Sequence, residues 1–182
     1  MTMNLPNKIT LARVCMIPFF LFFMLVKTNP YDNYIAAAIF IVACLTDALD
    51  GYLARRDNLV SNFGKFMDPL ADKLLVCSAL ICFVELKLVP AVVVIVIISR
   101  EFIISGFRLI ASDNGIVIAA SYWGKLKTVS QMVMSILLII NFNGDIFNTI
   151  EQILIYLSLI LTIISLIDYL YKNKAVLQEG EK

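Results

Sequence analysis

One stretch of the chain concentrates residues able to do chemistry. Asp47 and Asp50 stand one helical turn apart, and so do Asp68 and Asp72. On a helix, such spacings put both carboxylates of a pair on one face. A short loop between the pairs requires their helices to run antiparallel, which makes Asp47 and Asp72 the deeper members. A rise of about 1.5 Å per residue spreads each pair over only one turn of depth, so all four can meet in one pocket. Carboxylates that close repel one another unless a cation sits among them. Oxygen donors alone suit Mg²⁺, Mn²⁺ or Ca²⁺. Two such ions side by side are a recurring device for in-line attack at phosphorus. The competing possibility is that these aspartates pair with Arg55, Arg56 and Lys65 as solvated charges. A lone pair would fit that; two pairs on facing helices at bilayer depth argue against it.

The surrounding residues extend the pattern. Gly51 and Ala54 are small enough for a ligand to approach the backbone, or for helices to pack closely. Arg55 carries a guanidinium, whose donors match phosphate oxygens. Pro69 falls near a helix start, where proline is tolerated. The chain has no His, so a base working near neutral pH must be a carboxylate or another perturbed group. Cys15, Cys44, Cys77 and Cys82 are scattered through apolar runs and are read as small buried hydrophobes, not as a zinc site or a disulfide framework.

The elements that must hold these residues are apolar. Of 182 residues, 60% are hydrophobic and 16% charged, against about a quarter charged in soluble domains. Six apolar segments run approximately over 9–26, 34–54, 66–85, 88–110, 125–141 and 146–169, each near the roughly 20 residues that span a bilayer. Lipid cannot satisfy free backbone groups, and period-two alternation is absent, so helices are predicted rather than a barrel. The expected fold is an all-α membrane protein: a six-transmembrane-helix bundle forming one domain over 1–182. The uncharged run after Arg13 lacks a small-residue cleavage pattern and is read as a retained first span. Most of the 15 basic residues fall at the N-terminus, in the second and fourth connections and in the tail, which places both termini in the cytoplasm. Asp47, Lys73, Arg100 with Glu101, and Lys127 each close an uncharged run on that same side. Ionisable groups at that depth imply a shared cavity open to the cytoplasm. A net charge of +1 gives no case for nucleic acid.

The run from Asp47 to Asp72 reads D-x-x-D-G-x-x-A-R-x8-G-x-x-x-D-x-x-x-D without a departure, and it resembles the signature of the CDP-alcohol phosphotransferases. Further runs resemble the bacterial phosphatidylglycerophosphate-forming branch of that family: Asn4 to Arg13, Arg100-Glu101-Phe102, Gly106-Phe107-Arg108 and Gly124 to Thr128. The resemblance implies a six-helix homodimeric enzyme of the bacterial cell membrane with its active site facing the cytoplasm. CDP-diacylglycerol would be the donor and glycerol 3-phosphate the acceptor. The acceptor's sn-1 hydroxyl attacks the β-phosphorus, and CMP leaves. It also implies that Asp47, Asp50, Asp68 and Asp72 bind divalent metal, Mg²⁺ or Mn²⁺, as two ions, with Asp72 as the base. Gly51, Ala54, Arg55 and Gly64, together with Ser61, Asn7 and Thr10, would meet the CDP group. Arg100, Arg108 and Lys125 are the candidates for the acceptor phosphate. Serine or inositol phosphate are rival acceptors within the family; a phosphorylated acceptor suits the extra cations better than serine does. Outside the family, a divalent-cation transporter would share the intramembrane acids, but it needs polar residues in the outer halves of its helices, and those ends read as clean.

Overall fold

The computed structural model describes residues 5–56, 62–113, 116, 118 and 121–174. Within its helices, the side chains at 5–6, 48–56, 62–69, 72 and 113 lie outside that description. The described chain is all-helical, with six helices: α1 (Leu5–Leu25), α2 (Asp32–Arg56), α3 (Asn62–Glu85), α4 (Ala91–Asp113), α5 (Tyr122–Ile140) and α6 (Asp145–Lys172). Three of them, α1, α5 and α6, are long and apolar enough to cross a membrane. Helices α2, α3 and α4 are of similar length but carry more charged residues.

Most helices outrun their apolar segments at the polar end. Helix α1 begins at Leu5 rather than Ile9, and α6 continues to Lys172 rather than Tyr169. A helix satisfies its own backbone whatever surrounds it, so hydropathy marks the lipid-facing stretch and not the helix limit. Helix α4 differs in the other direction. It starts at Ala91 instead of Leu88, because Pro90 has no N–H to continue a helix from behind, and its carbonyl instead accepts the amide of Val93 at 3.0 Å.

The chain forms two compact units. The first comprises 1–88 with 136–141 and is built on α1, α2 and α3. Helix α1 turns a continuous buried stripe inward: Asn7, Thr10, Arg13, Ile17, Phe20 and Met24. The spacing is that of one helical face. Its apolar half meets Ala36, Phe40 and Ala43 on α2, with the Phe20 and Phe40 rings 5.9 Å apart. Small alanines let these backbones come close. On α3 the buried face runs through Ala71, Leu75, Ala79 and Phe83.

The second unit comprises 89–135 and 142–182, and within it α4 packs against α6. Helix α6 is inside out by the standards of a water-soluble protein. Its buried face is Glu151, Ile155, Ser158, Thr162, Ser165 and Tyr169, while Ile153, Ile160, Ile163 and Ile167 are exposed. Hydroxyls inside and isoleucines outside are stable only against lipid, where helices associate through small residues and hydrogen bonds. The Thr162 hydroxyl donates to the Ser158 carbonyl at 2.6 Å, and the Ser130 and Ser158 hydroxyls share a hydrogen bond at 3.1 Å. This is the surface of a membrane protein.

Two acids sit at helix ends where the sequence reads as clean. Asp32 is buried and accepts the Asn29 amide at 2.7 Å and the Thr28 hydroxyl at 3.1 Å, so it serves the turn before α2. Glu151 is buried near the start of α6.

Three helices stop on a non-glycine residue of left-handed conformation: Lys27 after α1, Lys87 after α3 and Asn141 after α5. At Lys87 the geometry is a Schellman motif. The Leu88 amide returns to the Phe83 carbonyl at 2.8 Å, and the Lys87 amide to that of Val84 at 3.0 Å. A Cβ in this conformation costs about 1 kcal/mol. Lys87→Gly should therefore raise the thermal midpoint of the detergent-solubilised protein, and Lys87→Val should lower it.

Candidate functional site

Asp47 takes its place from the buried stripe of α2. Asp47 lies one turn beyond Ala43 on the stripe of α2, and position 50 follows one turn later. On α3, positions 68 and 72 lie one turn before Ala71 and Leu75. Asp47 thus continues the buried stripe of α2 to a half-buried position. Oxygen donors of this kind suit a hard divalent cation. Of the four, only the Asp47 side chain is described, and among the described residues no three metal-binding side chains come together. The surroundings of Asp50, Gly51, Ala54, Arg55, Gly64, Asp68 and Asp72 lie outside that description, as does Ser61 altogether.

Asp47 has a partner that its spacing does not announce. The Arg13 guanidinium donates from Nη1 to Asp47 Oδ1 at 2.5 Å. Asn7 and Thr10, on the same face of α1 as Arg13, are buried as well. Arg13 meets Asp47 in the same antiparallel register in which Phe20 meets Phe40. That register sets Thr10 level with position 50 of α2. The signal in the sequence was available: Arg13 continues the helical stripe of Ile17, Phe20 and Met24 into polar territory.

The second unit gathers a different set of charges. Arg100 donates from Nε and Nη2 to the Ser165 hydroxyl, at 3.0 and 2.8 Å, and from Nη1 to Glu101 Oε1 at 2.9 Å. Lys127 Nζ donates to that same Glu101 oxygen. Ser165 in turn donates to the Thr162 carbonyl at 3.2 Å. A continuous network therefore joins α6, α4 and α5 through two buried cations and one carboxylate. Helix α5 approaches closely here: a methyl group on Gly124 would lie 3.5 Å from Arg100 Nη2. Ser121 starts α5 by accepting the Gly124 amide at 3.1 Å, an N-cap.

The three acceptor candidates fall into two kinds. Arg100 is buried within this network, whereas Arg108 and Lys125 are exposed. The Arg108 guanidinium lies 5.7 Å from the centre of the Tyr169 ring, which meets Phe107 edge-on. Lys127 was not among the candidates. It is the buried lysine of α5, on the stripe of Gln131 and Ser135, where Lys125 is on the open side.

Residues 3–164 match the family described as CDP-alcohol phosphatidyltransferase. The chain is 44% identical to the CDP-diacylglycerol–glycerol-3-phosphate 3-phosphatidyltransferase of Bacillus subtilis (strain 168), over 93% of this chain and 95% of that one. It is 40% identical to the Haemophilus influenzae protein of the same name, over 99% and 98%. A probable phosphatidylglycerophosphate synthase of Mycobacterium tuberculosis is 38% identical over 91% of this chain and 79% of its own length. The chain belongs to the CDP-alcohol phosphatidyltransferase family, and is a membrane-embedded transferase.

Glu101 is the one carboxylate shown between Arg100 and Lys127. Removing one partner from such a buried group strands the others, at a cost of about 3 kcal/mol. Glu101→Gln should lower the thermal midpoint, and Lys127→Met added to it should recover part of the loss. A double variant whose loss equals the sum of the Glu101→Gln and Lys127→Met losses would mean that the two side chains do not interact.

Proposed function

We propose that this protein transfers the phosphatidyl group of CDP-diacylglycerol to glycerol 3-phosphate, forming phosphatidylglycerophosphate and CMP. The observation that carries this reading is similarity across essentially the whole length to enzymes of that name, with the aspartate signature unbroken. The family match runs through residues of both compact units, which supports one catalytic domain over 1–182.

Asp47, Asp50, Asp68 and Asp72 are assigned to divalent metal, Mg²⁺ or Mn²⁺, as a pair of ions. When bound, such ions neutralise charge on the pyrophosphate and on the departing CMP. Asp72 accepts the proton of the attacking acceptor hydroxyl as the new bond to the β-phosphorus forms. Thr10, Asn7, Gly51, Ala54, Arg55, Ser61 and Gly64 are assigned to the CDP group. Thr10 and Asn7 are supported by their burial on the α1 face that also carries Arg13. Arg108 and Lys125 are assigned to the acceptor phosphate because they are exposed cations; Arg100 is assigned there with its Glu101 and Ser165 partners retained.

Six spans with both termini in the cytoplasm are inferred from the distribution of basic residues. The active site then faces the cytoplasm, where soluble glycerol 3-phosphate is available. A bacterial cell-membrane location and a homodimer complete the reading. Serine and inositol phosphate are the rival acceptors.

CMP release from CDP-diacylglycerol by the purified protein with Mg²⁺ tests this directly. Release should require glycerol 3-phosphate and should fall by at least about a hundredfold in Asp72→Asn, the scale of a lost general base. Release supported equally by serine or inositol phosphate would overturn the assigned acceptor.

A further inference from the structure

Helix α5 carries a buried polar stripe of Lys127, Gln131 and Ser135, each one turn from the next. Lys127 is paired with Glu101. Gln131 and Ser135 are 3% and 1% exposed. Among the described residues neither finds a hydrogen-bond partner: Nε2 and Oε1 of Gln131 and Oγ of Ser135 are all buried and unmet. Gln131 is the middle residue of a helix long and apolar enough to cross a membrane. An unmet polar group is costly there. The usual local remedy is not taken. Ser105, Thr128, Thr149 and Thr162 each donate to the carbonyl four residues back, and Ser135 does not. The neighbouring helices of the second unit supply no partner among the described residues either. On α4 the residues one and two turns from Glu101 are Ile97 and Val94, buried and apolar. On α6 the Ser158, Thr162 and Ser165 hydroxyls are engaged with Ser130, the Ser158 carbonyl and the Thr162 carbonyl.

Burial limits what can meet these atoms. Side chains enclosed by their own chain are out of reach of a lipid or a second copy of the protein. A metal ion suits Oε1 and Oγ but is repelled by the amide N–H groups beside them. Whichever way the amide is turned, Gln131 presents one donating and one accepting end. The occupant must be small and must both donate and accept, which describes water. The spacing agrees. Side chains four apart on a helix start about 5–6 Å from one another, close to the span of two hydrogen bonds of about 2.9 Å each. Buried waters serve polar groups that the protein leaves unmet, with about three bonds apiece. We propose that Gln131 and Ser135 form an internal water site in the middle of α5, with at least one water bridging the two side chains. It carries the polar stripe from the Lys127–Glu101 pair into the apolar part of the helix. The site is independent of the metal and acceptor assignments.

The test has two arms, both on the full chain in detergent. In the first, X-ray pulses generate hydroxyl radicals from the water present, and methionine oxidation is read by mass spectrometry. Met134, next to Ser135, and Met24, on the apolar stripe of α1, are both fully buried. Met134 should oxidise several-fold faster than Met24, because radicals form on the water beside it. Equal rates would overturn the proposal. The second arm compares thermal midpoints of Gln131→Leu, Ser135→Ala and the double variant. Each single change takes one partner from the water and leaves the other unmet, and should lower the midpoint by about 3 °C. The double variant should lose less than the sum, because the two side chains share a water. A midpoint raised by Gln131→Leu would mean a dry amide relieved of its burial, and additive losses would mean no shared water; either result overturns the proposal. The first arm uses wild-type protein alone, so a variant that fails to fold leaves the proposal open to refutation.

Discussion

A charge removed from water must keep a counter-charge beside it, and much of this molecule is arranged around that constraint. Arg13 has Asp47; Arg100 and Lys127 share Glu101. Each grouping ties together two consecutive helices, α1 to α2 in one unit and α4 to α5 in the other. In a soluble protein such pairs are often replaceable by apolar residues at no loss. Within lipid the apolar effect gives little drive for one helix to choose another, so polar contacts and close packing carry more of the specificity. The polar face of α6 follows the same logic. Its serines and threonine satisfy themselves on nearby carbonyls and on one another, and the isoleucines are left to the lipid.

The sequence disclosed those features that depend on one helix at a time. Apolar runs located the helices. The all-helical membrane character follows from composition alone. Features that depend on two helices were harder to see. Lys125 and Lys127 look alike in a list of basic residues, and only the stripe through Gln131 and Ser135 makes one buried and the other open. Arg13 looked like one of several cytoplasmic anchors until its face was traced through Ile17 to Met24. The helix ends also escaped hydropathy: the apolar runs stop at Ile9 and Tyr169, whereas α1 begins at Leu5 and α6 ends at Lys172.

Pro90 and Glu151 illustrate two local limits of hydropathy. Pro90 sits inside an uninterrupted apolar run, yet it divides turn from helix because it lacks a donor. Glu151 sits in a run so apolar that its single charge is diluted, yet it is buried on the face of α6 that carries the hydroxyls. In both cases a single residue departs from the average of its neighbours.

The shared register of Phe20 with Phe40 and Arg13 with Asp47 has a mechanical consequence. Two contacts at different heights pin α1 to α2 against sliding as well as rotation. Bilayers of different thickness are met by changes in helix tilt. A helix pair fastened at two levels tilts as a single lever, so lipid thickness reorients α1 and α2 together and leaves Arg13 against Asp47 undisturbed.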